Sequence, residues 1–324
     1  VGSDALPDAS VVIVTRDRKD DLALALDSLE GQEGSFEVVV VDDGSRDGTE
    51  SMLEGRPRVQ TVRRDTPGGP GTARNEGARH ASGRVLVFLD SDCRVFEGWL
   101  RAMVAPLDDK SIGAVGGAET LDPEEPLLGR IFHFVLTSPL TTGRIRGGPG
   151  GRAARYRPRS YSLAVRKEDF DRVGGFSPMH HGEDIDLVTR IGSLGLALAH
   201  APEARVRHRR RRTWRGFAGQ LHAMGRARAD LIRRDRVHLE PFYLAPPTGL
   251  LLALLLSLAA ALFPAVRLVA ALLLSLGILY LLTVGVAALW TLRSLPALLL
   301  APLAFALGQA AYGTGFLRGP GGAA

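Results

Sequence analysis

The chain has 324 residues, 45% of them hydrophobic, with 40 Lys and Arg against 35 Asp and Glu for a formal charge of +5. That length allows one large domain or two smaller ones. The single cysteine, Cys93, excludes an intramolecular disulfide and is expected to be a small buried residue. Charge is spread over residues 1–240 but nearly vanishes over 242–316, where Leu and Ala dominate, which excludes an ordinary soluble protein.

Residues 1–10 are polar and lack the basic start and apolar stretch of a signal peptide, so the N-terminal domain is expected to stay in the cytoplasm. Val11-Val12-Ile13-Val14-Thr15 reads as a buried strand. Asp20 or Asp21 can cap a helix that carries Leu22, Leu26 and Leu29 on one face and ends at Gly31. Residues 36–41 are a second apolar strand, stopped by Asp42-Asp43-Gly44-Ser45. A short helix over 47–53 and a strand over 59–62 come next. The loop Pro67-Gly68-Gly69-Pro70-Gly71 leads into a helix over 72–80, whose Ala73, Gly77 and Ala78 permit close approach to a sheet.

The strand Val85-Leu86-Val87-Phe88-Leu89 delivers Asp90-Ser91-Asp92, two carboxylates one residue apart. Hard oxygen ligands at a strand end suit Mg²⁺ or Mn²⁺, although strand-end Asp residues also cap helices and turns. A helix over 97–104 and a strand over 112–116 come after, and the Gly- and Arg-rich stretch 143–159 suits a mobile loop. Residues 160–165 return to strand character and 167–173 to helix, before the turn Gly174-Gly175-Phe176. Residues 184–194 read as a helix with Ile185, Leu187, Val188 and Ile191 as apolar contacts. Strands alternating with helices imply an α/β domain with a mostly parallel sheet covered on both faces.

Arg205, Arg207, Arg209, Arg210, Arg211, Arg212 and Arg215 lie ahead of the apolar tail, with Arg226, Arg228, Arg233, Arg234 and Arg236 closer to it. A basic run beside a hydrophobic span marks the cytoplasmic side and attracts anionic lipid. Residues 214–236 are expected to form an amphipathic helix in which Trp214, Phe217, Leu221, Met224 and Leu231 can face apolar surroundings while Arg faces phosphate, either at the membrane interface or packed on the soluble domain. Three apolar stretches, 243–262, 266–292 and 295–316, are each long enough to cross a hydrocarbon core of about 30 Å.

The motifs Val14-Thr15-Arg16-Asp17, Val41-Asp42-Asp43-Gly44-Ser45, Gly71-Thr72-Ala73-Arg74-Asn75, Leu89-Asp90-Ser91-Asp92, Val173-Gly174-Gly175-Phe176 and Gly182-Glu183-Asp184-Ile185-Asp186-Leu187 occur in this order. Together they resemble family 2 glycosyltransferases of the GT-A fold, over about residues 10–210. The apolar tail, ending in Tyr312-Gly313-Thr314-Gly315-Phe316, is similar to an ExoA-like membrane-anchored branch that builds exopolysaccharide on lipid carriers.

The resemblance implies a GT-A nucleotide-sugar-binding fold followed by a C-terminal transmembrane helical segment. It implies a transferase domain over 1–212, a basic juxtamembrane helix over 213–241, a membrane region over 242–318 and a tail over 319–324. It assigns Asp92 to a Mg²⁺ or Mn²⁺ ion, Asp90 to the ribose or the metal's outer shell, and His208 to the completion of the metal site. Asp43 is implied at the nucleobase, with Thr15 and Asp17 lining the same pocket and Arg74 and Asn75 at phosphate. Asp184 is implied as the base of an inverting transfer, with Glu183 binding the acceptor or orienting the base, although both also suit a helix's first turn. His180 and His181 precede this pair and read as loop histidines.

The implied partners are a nucleoside-diphosphate sugar, a polyprenyl-linked glycan acceptor and membrane lipid. The implied location is the inner membrane, multi-pass, with catalysis on the cytoplasmic side. Among other readings, Asp90-Ser91-Asp92 also resembles the nucleophile motif of aspartyl-phosphate phosphatases, but those place it on the first strand. A dinucleotide-binding enzyme needs a Gly-rich turn where Thr15-Arg16-Asp17 stands. A non-catalytic scaffold with a degenerate transferase domain is the remaining alternative. No zinc motif, helix-turn-helix or aromatic-interleaved pattern points to nucleic acid.

Overall fold

The structure is a computed structural model that describes residues 6–122, 124–142, 156–179, 181–209 and 211–319. The chain divides into two compact units, one from residues 1–122 and 156–209 and the other from 123–155 and 210–324. The first unit opens with β1 (Ala9–Thr15), α1 (Lys19–Leu29), β2 (Phe36–Asp42), α2 (Thr49–Glu54), β3 (Val59–Arg63), α3 (Pro70–His80) and β4 (Val85–Asp90). It continues with β5 (Cys93–Val95), α4 (Trp99–Val104) and β6 (Ile112–Thr120). The chain then lends α5 (Leu127–Thr137) and α6 (Pro139–Thr142) to the second unit. It returns to the first with β7 (Ser162–Arg166), α7 (Lys167–Arg172), α8 (Glu183–Gly192) and β8 (Ala197–His208).

The strands form one sheet in the order β3-β2-β1-β4-β7-β6-β8-β5. The first four are parallel neighbours, as the alternating pattern predicts. β7 runs antiparallel to both β4 and β6, β6 and β8 are parallel, and β5 is antiparallel to β8, so the sheet as a whole is mixed. Side chains of a strand alternate between faces. Val11, Ile13, Val85, Val87 and Leu89 accordingly pack with Leu22, Leu26, Trp99 and Met103. Val12, Leu86 and Phe88 pack on the other side with Phe170, Phe176, Leu187 and Val188. Both faces are covered, which explains why these strands read as continuous apolar runs. α3 lies close to the sheet because position 77 is glycine: a Cβ there would stand 2.5 Å from Val12 Cγ1.

β6 outruns the expected 112–116, and β8 extends over 12 residues. Their outer halves are only partly buried and alternate with charge, so they lack an apolar run to announce them. Of the expected loop 143–159, residues 143–155 lie outside the described residues, as does His180.

The second unit adds α9 (Trp214–Arg234), α10 (Ala245–Leu262), α11 (Pro264–Leu292) and α12 (Ala297–Arg318). Ile131, Phe132, Val135 and Leu136 of α5 join Phe217 and Leu221 of α9, Val284 and Ala288 of α11, and Ala301 and Ala304 of α12 in one core. Phe132 and Phe217 stack with centroids 4.2 Å apart. α9 and α12 approach closely through Gly225 and Gly315; a Cβ on either would strike the backbone of the other helix. The expected apolar face of α9 is thus spent within its own unit. Arg228, expected to face phosphate, is instead 4% exposed and lies 3.5 Å over the Tyr243 ring. Among the described residues, three helices are long and apolar enough to cross a membrane, with α10 and most of α11 exposing their Leu side chains.

Candidate active site

The site is built at the carboxyl ends of the parallel strands, where open α/β sheets bind ligands. Register places Thr15 of β1 beside Asp42 of β2, and Val14 beside Asp90 of β4, so three motifs reach one edge. Asp43 follows β2 and donates its own N–H to Thr15 O at 2.9 Å. Its carboxylate accepts from Gly68 N at 3.0 Å and Gly69 N at 3.1 Å, and pairs with Arg64 Nε at 2.9 Å. The amides before α3 that could have held an anion are therefore engaged by Asp43. Asp17 sits in the left-handed region (φ 51°) and braces the Asp42–Ser45 turn: Ser45 Oγ accepts from its N–H, and its carboxylate accepts from Arg46 N. Thr15 Oγ1 is buried and has no hydrogen-bond partner among the described residues.

Arg74 and Asn75, expected at phosphate, are engaged with protein groups. Arg74 donates through Nη2 to Asp90 Oδ1 and through Nη1 to Glu183 Oε1, both at 2.7 Å. Burial opposes its charge, but Asp90 and Glu183 outweigh this and hold the guanidinium ionised. Both polar ends of the Asn75 amide close on Phe176: Nδ2 donates to its carbonyl and Oδ1 accepts from its N–H, each at 2.8 Å. Asn75 is thus a fastener for the Gly174-Gly175-Phe176 turn.

Glu183 and Asp184 open α8 after Gly182, which supplies the left-handed turn (φ 84°). They are 6% and 9% exposed. Asp184 accepts from Ile185 N at 2.8 Å and more weakly from Ser160 N, and Arg159 Nη1 lies 3.5 Å away. Burial would raise its pKa, but Arg159 and then Arg74 overcome it and hold the carboxyl below the ordinary range. Burial pushes Glu183 up to about 7, with Arg74 opposing and Asp184 adding to the rise. Asp186 turns away from the pair to bond Arg190, as its spacing predicts.

Asp92 lies across a tight turn from Asp90. Its Oδ1 is 3.4 Å from His208 Nε2, and its Oδ2 is 2.5 Å from Arg18 Nη1. The far ring nitrogen of His208 is 2.9 Å from Glu119 Oε1. Burial alone would lower the imidazole; Asp92 and Glu119 overcome this and push it up to about 10. Asp92, His208 and Cys93 each offer a donor atom within 4.8 Å of the others. Cys93 is packed in the apolar core, so the carboxylate and the imidazole are the donors that fit a divalent cation. Arg18, Arg64, Glu119 and Arg159 had no signal in the sequence, because each is defined by a partner distant along the chain.

The family model for glycosyl transferase family 2 matches residues 10–173. The chain belongs to glycosyl transferase family 2. Among curated relatives, a pre-mycofactocin glycosyltransferase of Mycobacterium tuberculosis is 30% identical over 234 residues, 70% of this chain and 48% of its own length. The succinoglycan biosynthesis protein ExoO of Rhizobium meliloti is 38% identical over 122 residues, 37% of this chain and 34% of its own. The chain thus spans about half the length of the first of these and a third of the second. The mannosyltransferase PcManGT of Pyrobaculum calidifontis, solved with GDP-Man and Mn²⁺, has the same fold: TM-score 0.62, 23% identity, 93% of this chain and 87% of that one. The GT-A architecture expected from the motifs is therefore present in this family 2 glycosyltransferase.

Proposed function

We propose that this family 2 glycosyltransferase is inverting and metal-dependent. It moves a sugar from a nucleoside-diphosphate donor to a polyprenyl-linked glycan at the cytoplasmic face of the inner membrane. The observation that carries this reading is Arg74. One buried guanidinium ties Asp90, at the end of the donor-side strand β4, to Glu183, at the head of the helix that bears Asp184.

In this reading Asp184 accepts the proton of the acceptor hydroxyl as that oxygen bonds to the anomeric carbon. The bond from that carbon to the diphosphate breaks on the opposite side, which inverts the centre and leaves the electron pair on phosphate. Ionisation of Asp184 at neutral pH, held by Arg159 and Arg74, fits a base. Glu183 binds the acceptor or orients Asp184. Asp92 and His208 would hold a divalent cation, which supplies Lewis-acid stabilisation of the departing diphosphate. Asp90 serves the ribose or the cation's outer shell. Asp43 serves the nucleobase through whatever capacity its ties to Gly68, Gly69 and Arg64 leave, with Thr15 and Asp17 lining the same pocket.

The three apolar helices support an anchor over residues 242–318. Exposed Arg211 and Arg236 flank α9, exposed Arg215 and Arg233 stand in its first and last turns, and all four support the cytoplasmic side. The name of ExoO, succinoglycan biosynthesis, supports a polysaccharide setting.

A thermal-shift panel of nucleoside diphosphates with and without Mn²⁺ tests the donor side. One base should shift the melting temperature, and only with the metal. Asp184→Asn should keep that shift while turnover falls about 10²–10⁴-fold. No shift for any diphosphate, or near-parental turnover of Asp184→Asn, would sink the reading.

A further inference from the structure

Glu119 stands on the part of β6 that runs beyond its pairing with β7, which ends at Gly116. Between Gly117 and Ala118 the register against β8 jumps, from Ala201 to Arg205. Such an irregularity re-aims the side chains beyond it. Glu119 consequently pairs with Val206, and its side chain turns inward to 3% exposure. Thr120 Oγ1, donating to Val206 O at 3.0 Å, pins the same strand end.

A carboxylate is costly to bury unless it has work to do with a partner. Here the partner is His208: Nδ1 is 2.9 Å from Glu119 Oε1, Nε2 is 3.4 Å from Asp92 Oδ1, and the Tyr161 ring lies 5.4 Å from the imidazole. With a cation in place of the Nε2 proton, an imidazole gripped this way would keep its proton on Nδ1 and offer its Nε2 lone pair to the metal beside Asp92. A carboxylate behind a ligating histidine fixes both ring orientation and tautomer.

We infer that Glu119 is a positioning residue for the cation site, fixing His208 as an Nε2 donor beside Asp92 so that the site takes Mn²⁺ in preference to Mg²⁺. The inference rests on the metal reading of Asp92 and His208 proposed above. The selectivity follows from ligand chemistry. Mg²⁺ demands oxygen ligands and parts reluctantly with its water, whereas a transition-metal cation accepts an imidazole nitrogen. Without Glu119 the ring is free to turn or to present the protonated nitrogen, and the site falls back on oxygen ligands.

The test is a Mn²⁺ titration of the full chain in detergent, read by electron paramagnetic resonance, with Mg²⁺ as competitor. Glu119→Ala should weaken Mn²⁺ about 10–100-fold, the range seen for lost partners of ligating histidines. Mg²⁺ affinity should stay nearly constant, so the preference collapses towards that of His208→Ala. Glu119→Gln, whose amide oxygen still accepts from Nδ1, should retain most of the preference. Pulsed measurements on the parent chain should show one histidine nitrogen coupled to Mn²⁺, and this needs no variant to fold. A folded Glu119→Ala chain with unchanged Mn²⁺ over Mg²⁺ preference overturns the inference while leaving the metal reading in place; bound Mn²⁺ without nitrogen coupling overturns the inference and also removes His208 from the metal reading, leaving Asp92. If the parent binds no Mn²⁺, or Asp92→Asn binds it as the parent does, the metal reading itself is lost.

Discussion

Glu183 and Asp184 are neighbours in one buried turn, yet their proton affinities are driven apart. Glu183 has the raised value, about 7 against an ordinary 4.5. Its contribution to stability is therefore complete below the ordinary carboxylate range and is lost as pH climbs through about 7. Glu183→Gln should flatten the pH dependence of stability between 4.5 and 7 in urea melts; an unchanged slope would contradict the shift. Ionised Glu183 also makes Asp184 the stronger base by repulsion. Turnover should rise as pH passes about 7, and Glu183→Gln should remove that limb of the profile.

At this scale the acidic residues were legible. Asp90 ends and Asp92 follows the apolar run of β4, and Glu183 and Asp184 open the helix whose apolar face starts at Ile185. Arg74 and Asn75 were legible as part of the motif, but their ties within the protein were not. Their partners Glu183 and Phe176 lie 109 and 101 residues away, and only the folded chain shows those bonds.

The helices and strands of the first unit hold together through a few close approaches. Gly77 is one: α3 can carry Arg74 to the sheet edge only because nothing projects towards Val12 and Val41. Gly77→Val should destabilise the chain by about 1–3 kcal/mol through overpacking, read as a lower urea midpoint with an unchanged slope. It should also weaken turnover, because α3 would be pushed outward; a parental midpoint would show that the helix can yield. The central strands were legible because burial on two faces demands uninterrupted apolar residues. The outer halves of β6 and β8, and the three-residue β5, were not. Their residues alternate with charge, and their pairing depends on a register jump that no local pattern encodes. α5 carried an apolar pattern of its own, Leu127, Leu128, Ile131, Phe132, Val135 and Leu136, but nothing in it named helices that come much later as its cover.

At the scale of the whole molecule the chain is not two beads on a string. Residues 123–155 belong with the C-terminal unit although the sheet resumes after them. A chain cut after residue 212 keeps α5 but loses α9, α11 and α12, so Ile131, Phe132, Val135 and Leu136 are left uncovered. Such a chain should aggregate. Replacing 123–155 in it by a short Gly-Ser connection should restore soluble monomer, measured by size-exclusion chromatography. Equal behaviour of the two chains would mean that α5 is not what drives association.

The same interruption has a consequence for biogenesis. Arg130 of α5 donates to Leu292 O at the end of α11, a partner 162 positions further on. At a ribosomal pace of about 5–20 residues per second, the greasy flank of α5 emerges roughly ten to thirty seconds before that partner is made. The newborn polypeptide would expose that flank for the interval, so slowing translation between residues 137 and 292 should lower the yield of folded chain.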